Sequence, residues 1–236
     1  MNFHQTHARL RRRVGGIIFA MLAVAELPGA EPVAPVPTAS AASPVREIRP
    51  GHFQIGQVRL DQRRREIRIP ATVNLREGHI EYVLVAATGK THESLLRTSA
   101  EPLHVQLAFV LLGAKGAGPA DASTNPAVQI PGEKVSASLT WVEAGRTNHA
   151  EPTAFVLDRR TGAAVRPGSW VYTGSRVRED GFVAQIDGSI LSLITDFDAL
   201  INNPRPGRED DDNWIVRTNG LPPQNTSMEV VLRLER

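Results

Sequence analysis

The chain has 236 residues, 27 Lys and Arg against 25 Asp and Glu, and no cysteine. That length holds one large domain or two small ones. The missing cysteines exclude disulfides, thiol catalysis and any zinc or iron–sulfur site built on protein thiolates.

The first segment reads as an export signal. Arg9, Arg11, Arg12 and Arg13 form a basic region, and Val14 to Ala25 is an apolar run ending in Ala23-Val24-Ala25, an A-x-A cleavage pattern; a second cut is plausible after Ala30. A membrane span needs roughly 20 apolar residues, and this run stops at Glu26. An uncleaved anchor is the alternative. Cleavage removes four arginines and no acid, leaving 23 basic residues against 25 acidic. Such a chain exerts no global attraction on nucleic acid, so no nucleic-acid partner is expected. The expected location is periplasmic or extracellular, with no transmembrane span after cleavage.

Residues 26–53 begin "ELPGAEPVAPVPTASAASP", rich in Pro and Ala and poor in large apolar side chains. This predicts a flexible linker, with the folded domain, 54–236, starting near Gln54. Val58/Leu60 and Ile67/Ile69 alternate with polar residues around "DQRRR", which predicts a hairpin. Arg63, Arg64 and Arg65 then sit at its solvated tip or against an anionic surface. Pro70 marks an edge or a bend.

"IEYVLVAA" reads as a strand buried on both faces. Thr88-Gly89-Lys90 turns the chain and "THESLLR" returns as a strand, with His92, Ser94 and Leu96 on one face and Glu93, Leu95 and Arg97 on the other. A helix follows over 102–112, with Thr98 and Glu101 at capping-box spacing, Pro102 near the first turn and Gly113 at the end. Only His104 and Gln106 are polar between Leu103 and Leu112, so this helix is expected to be largely buried on the sheet. After a loop rich in Gly, Pro and Ala, strands are expected in "VSASLTWVEA", "TAFVLD", "SWVYTGSRV", "FVAQIDGS", "ILSLIT" and "MEVVLRL". "FDALI" suggests one helical turn, and "NNPRPGREDDDN" a long polar loop. The expected fold is α+β and mostly β: one β-rich domain with a single buried helix packed on the sheet.

Two constellations are candidates for chemistry. His92, Glu93 and Ser94 stand in a row. A zincin needs a second His at position 96, which is Leu. A nucleophile elbow needs Gly on both sides of Ser94, and those positions are His92 and Leu96. A spatial Ser–His–Asp arrangement stays open, beside a plain strand end satisfied by neighbouring backbone. The second constellation is acidic: Asp196, Asp198, Asp210, Asp211 and Asp212. Such carboxylates can hold calcium outside the cytoplasm, but EF-hand spacing and its central glycine are absent, and solvation is the competing reading. His104 is a possible ligand or a core histidine. Trp141, Trp170 and Trp214 stack on carbohydrate or pack in the core. Asn225-Thr226-Ser227 matches a glycosylation sequon. No cofactor is expected.

The run from Ile67 to Gly116 resembles the bacterial YdjY-domain family through Pro70–Asn74 ("PATVN"), Ile80–Tyr82 ("IEY"), Gly89–Leu95 ("GKTHESL") and Leu111–Gly113 ("LLG"). "DGSILSLITDFDALINNP" and "DDNWIV" extend the likeness over roughly 54–236. The resemblance implies an exported bacterial protein and no particular reaction. A 4Fe–4S label associated with that family does not transfer to a chain without cysteine. The expected function is a non-enzymatic binding or envelope-associated module, whose partner is an unknown envelope protein or small ligand. The alternative is a hydrolase or metal-dependent enzyme centred on His92, Glu93 and Ser94.

Overall fold

The computed structural model describes residues 44–117, 125 and 127–236. The expected signal and most of the expected linker lie outside those residues. The described part is β-rich and its centre is a closed sheet. Eight strands make the ring: β4 (Glu66–Val73), β5 (Tyr82–Ala86), β6 (Ser94–Thr98), β7 (Glu133–Glu143), β11 (Trp170–Tyr172), β14 (Ser189–Ser192), β15 (Ile201–Asn202) and β17 (Ser227–Leu234). Their order is β4-β17-β7-β11-β15-β14-β5-β6, and β6 pairs back with β4. Closure removes the exposed edges that an open sheet of this size must protect.

Alternation explains the filling. Ile67, Ile69, Ala71 and Val73 of β4, Met228, Val230, Leu232 and Leu234 of β17, and Val135, Ala137, Leu139 and Trp141 of β7 are all buried, each two residues from the next. All five residues of β5 are buried, as a strand covered on both faces requires.

The sheet extends beyond the ring. β1 (Val45–Arg49), β2 (His52–Ile55) and β3 (Val58–Asp61) form consecutive antiparallel pairs that join β4. Among the described residues the sheet therefore starts at Val45, not near Gln54. Four of the five β1 residues are exposed, so pairing with β2 rests on backbone hydrogen bonds, which leave no apolar signature. The β3–β4 hairpin has the expected positions, with Arg63 to Arg65 at its turn. Arg64 N–H is held by Asp61 Oδ1 at 3.1 Å, and Arg65 Nε reaches Leu234 O at 3.1 Å.

Pro70 lies in the middle of β4, where the strand changes neighbour. Positions 66–68 pair with β3, and positions 72–73 with β6. The Pro70 carbonyl accepts from the Thr98 hydroxyl at 2.5 Å on the β6 side. A strand residue sends its N–H and C=O to the same side, so the donor that proline lacks falls in the gap between β3 and β6. No ladder bond to β17 is lost.

The return after β5 differs from a hairpin. β5 and β6 are parallel, with Tyr82 opposite Ser94 and Leu84 opposite Leu96. The chain folds back in a single 3-10 turn, Thr91–Glu93, before Ser94 begins the strand. β14 and β15 repeat the device: they too are parallel, joined by residues 193–200. "FDALI" is thus not a helical turn. It is the end of this crossover and the start of β15.

Helix α1 (Pro102–Leu111) packs on β2, β3 and β4. Val105, Ala108 and Phe109 are buried, but Leu103, Val110 and Leu111 are exposed, so the helix is only half covered. Its N-cap is Glu101, without a side-chain bond. Thr98 does not cap it, because its hydroxyl bonds Pro70 O and accepts from Ala100 N–H. The C-terminus closes as a Schellman motif: Gly113 N–H bonds Val110 O and Ala114 N–H bonds Phe109 O, with Gly113 at φ 80°.

A second helix, α2 (Val183–Asp187), occupies part of "FVAQIDGS", which had the alternation of a strand. The apparent strand pattern is broken by Gly188 at φ 74°, which ends α2 in the left-handed region. "TAFVLD" is a 3-10 turn followed by β9 (Val156–Asp158). β8 (Arg146–Ala150) is a polar strand on the outside of β7. A smaller sheet orders β10 (Ala163–Ala164), β9 and β16 (Trp214–Val216), and β12 (Val177–Arg178) pairs with β13 (Gly181–Phe182). No helix among the described residues is long and apolar enough to cross a membrane.

Four carboxylates tie the periphery. Burial favours the neutral form of Glu66, but hydrogen bonds from Arg233 and Arg68 outweigh it and hold the carboxyl below its usual range. Against the same opposition, Arg160 does this for Asp158, Arg176 and Arg178 for Asp198, and the Arg64 N–H for Asp61. A carboxylate whose folded pKa is depressed stabilises the fold above the unfolded value, near 4. That contribution disappears as pH falls through the folded values. Urea midpoints should therefore drop as pH is lowered from about 5 toward 2. Glu66→Gln should have a shallower acid dependence; an identical one would contradict this role.

Candidate functional site

The structure separates His92 from Ser94. His92 stands in the exposed 3-10 turn with 78% of its side chain exposed, 3.5 Å from Glu93 Oε2. Ser94 is fully buried at the start of β6. Asn74, also buried, donates its amide to Thr91 O at 2.5 Å, to Ser94 O at 2.9 Å and to Ser94 Oγ at 3.2 Å. The last residue of "PATVN" therefore anchors the crossover that carries "GKTHESL". Two motifs 15 residues apart are one hydrogen-bonded corner. Neither His92 nor Glu93 lies on a strand face, so the expected alternation holds only from Ser94 onward.

This placement sets opposite expectations for two neighbours. Asn74→Ala leaves buried carbonyls without a donor and should cost about 1–3 kcal/mol. His92→Ala removes an exposed side chain and should stay within about 0.5 kcal/mol of wild type. Thermal unfolding of the two variants side by side checks both values.

A second polar group joins the two parallel crossovers. Lys90 Nζ donates to Tyr82 Oη at 2.6 Å, and Tyr82 Oη donates to Asp196 Oδ2 at 2.8 Å. The ammonium also lies 4.8 Å from the Tyr82 ring centroid. Lys90 comes from the β5–β6 crossover and Asp196 from the β14–β15 crossover, so Tyr82 bridges them. Burial and the Asp196 charge push the Tyr82 phenol far above its ordinary pKa. It stays protonated at neutral pH and cannot act as a base or nucleophile there. Beside it, burial raises the Glu81 carboxyl, and Glu93, Asp211 and Asp196 add repulsion that Lys90 offsets in part.

The same corner brings Gly89 and Gly188 together. A Cβ on Gly188 would lie 2.7 Å from Gly89 Cα, and one on Gly89 would lie 2.6 Å from Asp187 O. The glycines of "GKTHESL" and "DGSIL" are thus two sides of one close backbone contact.

Of the acidic constellation, Asp196, Asp198 and Asp210 are engaged, and Asp211 and Asp212 are exposed in the 3-10 turn. Asp196 Oδ1 accepts from Asp198 N–H at 2.9 Å. Asp198 pairs with Arg176 and Arg178. Asp210 Oδ1 accepts from Asp212 N–H at 3.0 Å, capping the 3-10 turn Asp211–Asn213. Among the described residues, no three His, Asp or Glu side chains gather as a metal set would. His104 is half-buried, its imidazole filling the space left by the missing side chain of Gly56. Trp141, Trp170 and Trp214 are all buried, so they form no stacking surface. Asn225 is in an exposed turn and accepts from Arg97.

Sequence reasoning missed Arg205. Its guanidinium carbon lies 5.0 Å from the Trp170 ring centroid, and it lines a cavity of about 280 Å³ beside the small sheet. An arginine in "NPRPG" carries no signal of that surrounding.

The YdjY domain model matches residues 58–233, which include "PATVN", "IEY", "GKTHESL" and the strands that close the ring. No curated protein and no solved structure matches the chain. By that match over most of its length, and by the motifs that build the corner just described, the chain belongs to the YdjY-domain family.

Proposed function

We propose that this chain is an exported, tethered module of the bacterial envelope that binds a ligand or partner and turns nothing over. The observation that carries the reading is the separation of His92 from Ser94. The hydroxyl needed as nucleophile is buried and hydrogen-bonded by Asn74, while the imidazole needed as base stands in solvent. Acyl transfer needs the two within hydrogen-bond reach. The conspicuous motif residues support the fold instead: Asn74 holds the β5–β6 crossover, Lys90 and Tyr82 tie it to the β14–β15 crossover, and the paired glycines let it meet the turn before β14. The basic, apolar and small-residue order of residues 1–25 supports export, and the Pro/Ala-rich stretch after it supports a tether.

Two measurements test the proposal. The native protein should be recovered outside the cytoplasm with Glu26 or Glu31 at its N-terminus; an intact, cytosolic Met1 ends the export half. The purified mature protein should leave the composition of an envelope extract unchanged by mass spectrometry. A component consumed by wild type and spared by His92→Ala would overturn the non-catalytic half in favour of an enzyme centred on His92, Glu93 and Ser94.

A further inference from the structure

The cavity beside the small sheet has three arginines on its wall, Arg160, Arg166 and Arg205. Arg160 is neutralised within the wall, since its Nη2 donates to Asp158 Oδ2 at 3.0 Å. Arg166 and Arg205 have no ion pair with a carboxylate among the described residues. Arg205 is held by neutral oxygens: Nε donates to Arg166 O at 2.8 Å, Nη1 to Asn203 Oδ1 at 3.0 Å and Nη2 to Gly168 O at 2.5 Å. Those bonds use three of its five N–H groups. The nearest acidic influence is Glu151, whose carboxylate already accepts from Gly168 N–H at 3.3 Å. Burial pulls Arg205 below its ordinary pKa, with Glu151 opposing, yet a guanidinium keeps its charge.

This is a fixed cation with spare donors. Trp170 lies against one face of it, and three backbone or amide oxygens orient its fork. Its hydrogen bonds all go to neutral acceptors, so an entering anion gains a charge-assisted partner that is already in place. Apart from Asp158, which is paired with Arg160, and Thr161, the rest of the wall is apolar and includes Val165, Pro206 and the buried Trp214. The Trp214 Nε1–H also meets no acceptor. A strongly hydrated inorganic ion gains nothing from apolar walls, whereas a compact organic body does.

We propose that this cavity binds a small organic carboxylate, its carboxylate on Arg205 and Arg166 and its apolar body against Val165 and Trp214. The inference rests on the reading of the chain as a binding module and gives that module a ligand class. Charge sets the orientation, and the volume of about 280 Å³ limits the body to about one ring or a short branched chain.

Calorimetric titration of the purified native protein tests it, with benzoate, its uncharged isostere benzamide and inorganic phosphate as probes. Benzoate should bind saturably, and both other probes at least about tenfold more weakly, the loss expected when a charged hydrogen-bond partner or the apolar contact is missing. Arg166→Gln, at an exposed position, should weaken benzoate about tenfold without shifting the Tm. Ala164→Leu, which narrows the cavity, should abolish binding. No saturation by benzoate at about 10 mM, where even millimolar affinity would be seen, overturns the proposal. Benzamide or phosphate binding as tightly as benzoate overturns the ligand class. Benzoate binding that both variants leave unchanged places the ligand elsewhere and overturns the site. If a variant melts early, the benzoate-to-benzamide ratio on wild type still decides. Turnover of an extract component by the same protein bears on the non-catalytic reading alone, so the two failures are distinguishable.

Discussion

Phe109→Ala is expected to lower the unfolding free energy by about 3–5 kcal/mol. The ring is fully buried and stacks on Tyr172 with centroids 4.2 Å apart and planes at 21°. Tyr172 in turn donates its hydroxyl to Gln106 Oε1 of the same helix at 2.7 Å. Removing Phe109 therefore loses the transfer term of a large aromatic, opens a cavity and frees the face that positions the Tyr172 hydroxyl. The helix can relax little, because Schellman bonds close its C-terminus and Gln62 Nε2 holds Leu111 O at 3.1 Å. Val110→Ala makes the control. Val110 is 53% exposed, and alanine has the better helix propensity, so its effect should stay within about 0.5 kcal/mol. Leu107 is half-buried and should fall between the two. Urea midpoints at constant m-value report all three. A Phe109→Ala midpoint equal to that of Val110→Ala would remove α1 from the core.

Gly188→Ala should cost about 2–5 kcal/mol. Its φ of 74° puts a non-glycine residue in the left-handed region, worth about 1–2 kcal/mol. Its new Cβ would also stand 2.7 Å from Gly89 Cα, a contact with backbone that cannot swing aside. Forced overpacking of that kind adds about 1–3 kcal/mol. Gly78→Ala separates the two terms: its φ is 88°, and a Cβ there meets nothing within 4 Å. The excess cost at Gly188 over Gly78 measures the contact between the β5–β6 crossover and the turn that joins α2 to β14. An excess near zero in thermal unfolding would mean that the loops part without penalty.

The "PATVN" and "GKTHESL" motifs were visible as motifs, but their work was not. Read along the chain, His92, Glu93 and Ser94 look like a reactive row. In the fold the row is split by the 3-10 turn, and the residue that meets Ser94 is Asn74. The Lys90–Tyr82–Asp196 bridge joins residues 114 positions apart at its wider step, and nothing local marks either end as a partner of the other. Arg205 was not singled out at all, because a cation's surroundings depend on what packs around it and not on its neighbours in sequence.

What the sequence determined by itself was local. Alternating residues placed β3, β4, β7 and β17, the continuous apolar run placed β5, and the Pro102-to-Gly113 frame placed α1. Side-chain direction repeats every two residues in a strand and about every 3.6 in a helix, so the pattern is written in adjacent letters. The absence of cysteine likewise settled thiolate chemistry outright. The tertiary structure alone decided the rest: the closure of β6 onto β4 at Thr72 and Val73, the parallel direction of β5 and β6, the helical turn of α2 in place of a strand, and the half-covered α1. Each of those depends on which backbone meets which. Main-chain hydrogen bonds join N–H to C=O without regard to side chain, so strand order and direction leave little trace in the residues that carry them.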